Sequence, residues 1–223
     1  MMKINEAYIY FIDLVNRNAT NNNINVDKPR FINLFNKLSV EYTSWILEKR
    51  NEDVIRHISP LLVLEKPLKV KENKESYSSF TLPKDYFDLA NLHITASQGD
   101  CKEEKIYTFE VKSENLEELL SDVNNKPSFK YRETFYLTSN GAVAIYKDNF
   151  TFDQVSLSYY RYPKTVDMAG YIHSDGTSSV DIDPEFDDKV VHKILTGMAK
   201  QFSATNGDQL AYTVNKDKLF SEI

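Results

Sequence analysis

The sequence predicts an α+β protein in which helices from the two ends of the chain form one bundle, with an antiparallel β barrel or sandwich inserted between them. Three observations carry this expectation. Apolar residues from Ile4 to Ile46 recur at helical spacing, those from Leu92 to Tyr159 largely alternate with a period of two, and helical spacing returns after Asp183-Pro184. The expected division is residues 1–58 and 184–223 for the bundle and 59–183 for the β insertion, with a short helix near 113–123.

Ile4, Tyr8, Phe11, Ile12 and Val15 fall on one side of a first helix. An Asn-rich stretch from Asn16 to Asn25 reads as a loop. A second helix opens near Asp27 to Pro29 and carries Phe31, Leu34, Phe35, Leu38, Tyr42, Trp45 and Ile46 in one stripe, with Trp45 expected in the bundle core. Asn51 to His57 reads as a short third helix stopped by Pro60. Lys66 to Lys71 alternates charge with apolar residues, as an edge strand does, and its lysines discourage pairing with a stray chain.

Leu82 to Asp88 reads as a turn. Leu92, Ile94 and Ala96 then share a strand face, Gln98-Gly99-Asp100 reverses the chain, and Tyr107, Phe109 and Val111 answer on the returning strand. Ser113, with Glu114, Glu117 and Glu118 behind it, is placed to cap a short acidic helix. Phe129, Tyr131, Phe135 and Leu137 alternate again, Ser139-Asn140-Gly141 is a hairpin turn, and Val143 and Ile145 lead back. Phe150, Phe152, Val155, Leu157 and Tyr159 complete the strands. Asp183 then stands where an N-cap belongs, with Pro184 at the first helical position and an apolar row at Phe186, Val190, Val191, Ile194, Met198 and Phe202. Asn206-Gly207-Asp208 supplies a stop and a fresh cap for a last helix from about Gln209 to Phe220.

At 223 residues the chain is long enough to bury a substantial core. Its 41% hydrophobic and 27% charged residues and mean hydropathy of -0.48 fit a soluble globular protein. Apolar runs such as Leu61 to Leu64 are far too short for a bilayer of ~30 Å, and the opening residues lack the apolar core of a signal peptide. Synthesis in a cytoplasm is therefore expected, with no membrane partner. One cysteine, Cys101, excludes an internal disulfide. A net charge of -6 argues against tight gripping of nucleic acid, which draws its affinity from clustered Lys and Arg.

The residues give little to chemistry. The four histidines, His57, His93, His173 and His192, lack the paired spacing of a metal site. Asp181, Asp183, Glu185, Asp187 and Asp188 form the densest carboxylate group, but Pro184 and the missing loop glycine argue against calcium, and acids at a helix start are favoured by its dipole. His173, Ser174 and Asp175 are adjacent in a loop rather than arranged as a triad, and no Gly-x-Ser-x-Gly elbow occurs. No catalytic residue, cofactor or metal is expected. The candidate interface residues are Tyr160, Arg161 and Tyr162, which leave the alternating strand with tyrosines on its outward side, and Tyr212, Leu219 and Phe220, which do not fit one clean row of the last helix.

The order of an aromatic strand ending in Tyr160-Arg161-Tyr162-Pro163, a loop, Asp183-Pro184, a helix, Asn206-Gly207-Asp208 and a final helix resembles the end of head-to-tail connector proteins of short-tailed bacteriophages. These are the adaptor, or tail tubular protein A-like, ring proteins. Leu82-Pro83-Lys84-Asp85-Tyr86 resembles the Leu-Pro-x-Asp-Tyr/Phe turn that such proteins carry before a strand, and the paired opening helices also match. The acidic helix near 113–123 departs from the simplest pattern. The resemblance implies a non-enzymatic virion protein of the neck that forms a homo-oligomeric ring, dodecameric in the family, beneath the portal protein. It further implies a platform for tail or further neck proteins, a role in genome ejection, and DNA passing through the channel without specific binding. The alternative is another soluble phage neck or baseplate binding module, with a small hydrolase a distant third. Leu82, Pro83, Asp85, Tyr160 and Arg161 are carried over as structural motif positions only.

Overall fold

The computed structural model describes residues 1–16 and 26–205. Along the chain run α1 (Ile4–Asn16), α2 (Lys28–Lys49), α3 (Glu52–Ile55), a 3₁₀ turn (Arg56–Leu61), β1 (Leu62–Pro67), β2 (Lys69–Asn73), β3 (Tyr77–Thr81), β4 (Tyr86–Gln98) and β5 (Cys101–Glu110). A second 3₁₀ turn (Ser113–Asn115), α4 (Leu116–Ser121), β6 (Glu133–Ser139), β7 (Ala142–Tyr146), β8 (Thr151–Arg161) and α5 (Asp188–Thr205) follow. The protein is α+β, with helices toward both ends and one curled, half-barrel sheet. The last helix expected from Gln209 lies outside the described residues.

Contacts divide the chain into two compact units, Met1–Leu61 with Pro163–Ile223, and Leu62–Tyr162. Residues 163–183, expected with the strands, thus group with the helices. A pair of hydrogen bonds explains this: Asn36 on α2 donates from Nδ2 to the Val166 carbonyl at 3.1 Å and accepts from the Val166 amide at 2.8 Å.

In the first unit the apolar stripes are buried as their spacing requires. Ile4, Phe11 and Val15 of α1, Phe31, Phe35 and Ile46 of α2, and Val191, Ile194, Leu195 and Met198 of α5 are all buried. The Phe11 ring meets Phe31 at 5.4 Å and Phe202 at 6.1 Å, and Tyr10 meets the His192 imidazole edge-on at 4.6 Å, so α1 touches both α2 and α5. Trp45 is only half-buried. It stacks on Tyr42 at 6.1 Å and lines a shallow apolar cavity of 80 Å³ with Leu38 and Ile194, rather than entering the core.

Helix α5 begins at Asp188, not at Asp183-Pro184. Asp187 is its cap: Oδ1 accepts from the Val190 amide at 2.8 Å, and the carboxyl is held below its usual range despite burial because Val190 and His57 both stabilise the anion. Asp183 serves a different helix. Its Oδ1 accepts from the Ile4 amide at 2.8 Å, at the first turn of α1. Asp181 takes the Asn5 side chain at 3.1 Å, and Asp188 takes the Met2 amide at 2.5 Å and lies 3.4 Å from the terminal ammonium. Two acids of the run, Asp183 and Asp187, are thus caps, each for a different helix.

The second unit is a single eight-stranded sheet in the order β1-β8-β4-β5-β6-β7-β3-β2. Its concave interior gathers Phe80, Leu92, Ile94, Ile106, Val143, Ile145, Phe150, Val155, Leu157 and Tyr159. Asn140 (φ 49°) and Gly141 (φ 69°) make the left-handed two-residue turn between β6 and β7 that the sequence calls for. The sheet is not wholly antiparallel, because β5 and β6 run parallel. The excursion through α4 is the reason: it carries the chain back to the start of a parallel neighbour, as a crossover must. On the way Leu116 and Leu119 cover a second small cluster of Val111, Phe135 and Tyr146. Lys112, not Ser113, precedes the first turn of this excursion, and no side chain caps it.

Two strand faces differ from the sequence reading. Ile106 pairs with Ile94 in the interior, whereas Tyr107 is 63% exposed and Phe109 lies on the same outer side. Glu103, with φ 56°, interrupts β5 just before this register is set. Phe129 to Arg132 forms a turn closed by the Arg132 amide on the Phe129 carbonyl, so β6 starts only at Glu133 and Tyr131 is exposed.

The Asp183→Ala variant is predicted to lose about 1 kcal/mol of stability in urea denaturation, the ordinary cost of removing a helix cap, while Asp183→Asn retains most of it. A loss with no change in α1 amide exchange would contradict the capping role.

Candidate functional site

The Leu82–Tyr86 turn and the Tyr160 end of β8 are far apart in sequence but adjacent in the sheet. β4 and β8 pair along their length, and Tyr86, the last residue of Leu82-Pro83-Lys84-Asp85-Tyr86, stands opposite Arg161. The Tyr86 amide closes the turn on the Pro83 carbonyl at 3.1 Å, and the Asp85 carbonyl then accepts from the Tyr162 amide at 2.9 Å. Beyond the ladder, the Phe87 and Tyr162 rings meet edge-on at 4.5 Å.

Tyr159 anchors this junction from below. Its ring is fully buried, and its hydroxyl donates to Asp85 Oδ1 at 2.9 Å and accepts from Lys66 Nζ of β1 at 3.1 Å. Burial raises the Tyr159 hydroxyl above its usual range, against the pull of Lys66, and the bond to Tyr159 raises the Lys66 ammonium in turn. The Tyr86 ring lies 5.9 Å from Tyr159, with its own hydroxyl pushed up to about 12, mainly by burial. Three strands, β1, β4 and β8, are thereby tied at one corner.

Of the candidate interface residues, Tyr162 is 48% exposed, while Arg161 is half-buried with Nη1 donating to the Tyr162 carbonyl at 3.2 Å. Tyr160 does not face outward: it is only 9% exposed, and burial raises its hydroxyl. Strand β8 is covered on both faces from Val155 to Tyr160. Tyr212, Leu219 and Phe220 lie outside the described residues. Sequence reading missed Lys66 and the Tyr159 hydroxyl as members of the corner. A tyrosine at an inward strand position was the available signal, since a buried hydroxyl requires a partner.

His173, Ser174 and Asp175 are not arranged about one another. His173 Nε2 lies 3.0 Å from Asp167 Oδ2, and Asp175 Oδ1 accepts from the Thr177 amide and hydroxyl to close its own turn. Asp167 is 8% exposed and accepts from the Tyr171 hydroxyl at 2.6 Å and the Val180 and Met168 amides at 3.1 and 2.8 Å. Burial disfavours its anion, but these donors prevail and hold the carboxyl at about 2. The cluster staples the 167–182 segment to itself.

Among the described residues, no group of three or more His, Cys, Asp or Glu side chains is placed to hold a metal ion, and no helix is long and apolar enough to cross a membrane. Neither the family models nor the curated proteins compared with this sequence give a match.

Two predictions follow from these contacts. Tyr159→Phe is expected to cost about 1 kcal/mol, and a double-mutant cycle with Asp85→Ala to show coupling of at least about 0.5 kcal/mol; additive losses would dissolve the corner. Because the folded Asp167 carboxyl titrates below its unfolded value, its contribution is complete above about pH 4 and is lost as pH falls toward about 2. Acid titration of the fold should flatten in this window for Asp167→Asn, and an unchanged profile would contradict the assignment.

Proposed function

We propose that this chain is a virion structural protein, a head-to-tail adaptor that forms a ring below the portal, extends the DNA channel and presents a platform to the tail. The observation that carries the reading is the corner itself. The Leu82–Tyr86 turn and the Tyr160–Pro163 strand end, each short and weak alone, were linked to this family by resemblance, and they are joined by the Asp85–Tyr162 backbone bond and the Asp85–Tyr159–Lys66 chain. A turn and a strand exit locked to each other present a fixed surface, which repeated docking between identical subunits requires.

In the same reading α1, α2 and α5 belong to one helical bundle, supported by the Phe11 contacts with Phe31 and Phe202, and the curled sheet is a barrel short of closure. A ring closes by rotation, so one patch of each protomer meets a different patch of the next. Tyr162, half-exposed beside Phe87, is the described candidate for one of these patches, and Tyr212, Leu219 and Phe220 are carried as candidates for another. The net charge of -6 suits a channel wall along which DNA slides without adhering. The role is assembly in the neck of the virion, without a cofactor or a catalytic residue.

Size-exclusion chromatography with light scattering, on the chain alone and mixed with its portal, tests this. A ring or a portal-dependent oligomer is expected, and Tyr162→Asp should weaken it by about tenfold or more while leaving the protomer's thermal transition within about 0.5 kcal/mol of the parent. A monomer indifferent to the portal would overturn the adaptor reading in favour of another neck or baseplate binding module. Turnover abolished by changing His173 or Asp175 would favour an enzyme.

A further inference from the structure

The half-barrel leaves a slot between two unpaired strand edges. β1 and β2 end the sheet on opposite sides although only Leu68 separates them in the chain. The β1 ladder on β8 stops at Pro67 opposite Ser156, and the Leu68 amide makes one more bond, 3.0 Å to the Val155 carbonyl. There the chain turns away into β2, which pairs with β3 and, among the described residues, has no strand beyond it. Thr151 to Gln154 of β8 keep their β4 ladder on one side and, among the described residues, have no strand on the other. Both edges line one cleft of 300 Å³, with Val70 and Asn73 on one side and Thr151 to Val155 on the other.

The cleft has a floor and a charge. Phe80, Phe152 and Val155 give it an apolar base belonging to the sheet interior. Lys147 lines it with Nζ 2.7 Å from Asn73 Oδ1, and partial burial pushes its ammonium down. Lys69 and Lys71 stand exposed along β2. Of the nearby acids, Glu72 pairs with Lys74 at 3.5 Å, while Asp153 lines the cleft and keeps its charge, its Oδ2 accepting from the Ser97 hydroxyl and the Glu103 amide, so that Lys69, Lys71 and Lys147 face one cleft carboxylate. Unpaired backbone edges recognise an extended peptide, the floor recognises alternate apolar side chains, and the lysines select acidic residues between them. The same lysines that repel a stray edge therefore discriminate in favour of an acidic one.

We propose that this slot receives one extended segment of a partner protein, alternating apolar residues with Asp or Glu, which pairs with β2 and the first half of β8 and sets a carboxylate on Lys147. The proposal stands whether or not the chain is an adaptor.

The test uses the full chain and a fluorescein-labelled peptide, Thr-Val-Asp-Val-Glu-Val-Asp-Val-Thr, followed by fluorescence anisotropy. Two controls accompany it, one with Lys at the acidic positions and one N-methylated at alternate amides. The acidic peptide should bind about tenfold or more tightly than either, and Lys147→Gln should weaken it about fivefold or more. The Lys69→Glu/Lys71→Glu double variant alters only exposed side chains and should weaken binding similarly with an unchanged circular dichroism spectrum. Amide exchange on binding should slow at Lys69–Asn73 and Thr151–Gln154. Equal binding of the N-methylated peptide, protection elsewhere, or indifference to all three lysines would overturn the proposal. Concentration-dependent dimerisation that excludes the peptide would assign the slot to a second copy and overturn it equally.

Discussion

The hold of Asp183 and Asp188 on the start of α1 is the interaction on which the helical unit depends. The first turn of any helix leaves backbone amides without intrahelical partners and concentrates partial positive charge there. In this chain Asp183, distant in sequence, takes the Ile4 amide of that turn, and Asp188 takes the Met2 amide just before it. One consequence is that the Ile4 amide of α1 draws its partner from the segment that precedes α5. Another is that Phe11 is delivered to the space between Phe31 and Phe202, where it can bury its ring. A polar contact at the helix entry thus fixes the approach of the apolar stripe behind it.

The sheet is organised by a comparable device. Strand β8 lies between β1 and β4, covered on both faces from Val155 to Tyr160, and Tyr159 brings a hydroxyl into that covered region. Asp85 and Lys66 satisfy it, and in doing so they fix the turn before β4 and the approach of β1. The opposite end of β8 has no such closure, because β1 leaves the ladder at Pro67. The half-barrel is thus tied at one corner and open at the other.

Much of this was legible in the sequence where the responsible force is local. The stripes of α1 and α2, the Val155-Leu157-Tyr159 alternation and the Asn140-Gly141 turn follow from periodicity and from backbone conformations that few residues adopt. The start of α5 was not legible. Asp183-Pro184 satisfies every local rule for a helix start, yet the carboxylate is engaged by an amide 179 positions away. The parallel pairing of β5 and β6 likewise depends on where the α4 excursion returns the chain, and local alternation carries no sign of strand direction. Tyr107, Phe109 and Val111 form a clean alternate row in sequence, but the irregularity at Glu103 gives the interior position to Ile106. At the candidate site the motif positions were visible, whereas their contact was not: residues 85 and 162 meet only through the register of β4 on β8.

The front and back of the polypeptide fold as one helical unit with the sheet's sequence carried between them. Native-state amide hydrogen exchange on the full chain, read in low denaturant, addresses this most directly. Phe11 in α1 and Ile194 in α5 should open with the same free energy and the same denaturant slope, as members of one cooperative unit do. Exchange of Phe11 at a distinctly lower free energy, with Ile194 still protected, would contradict it.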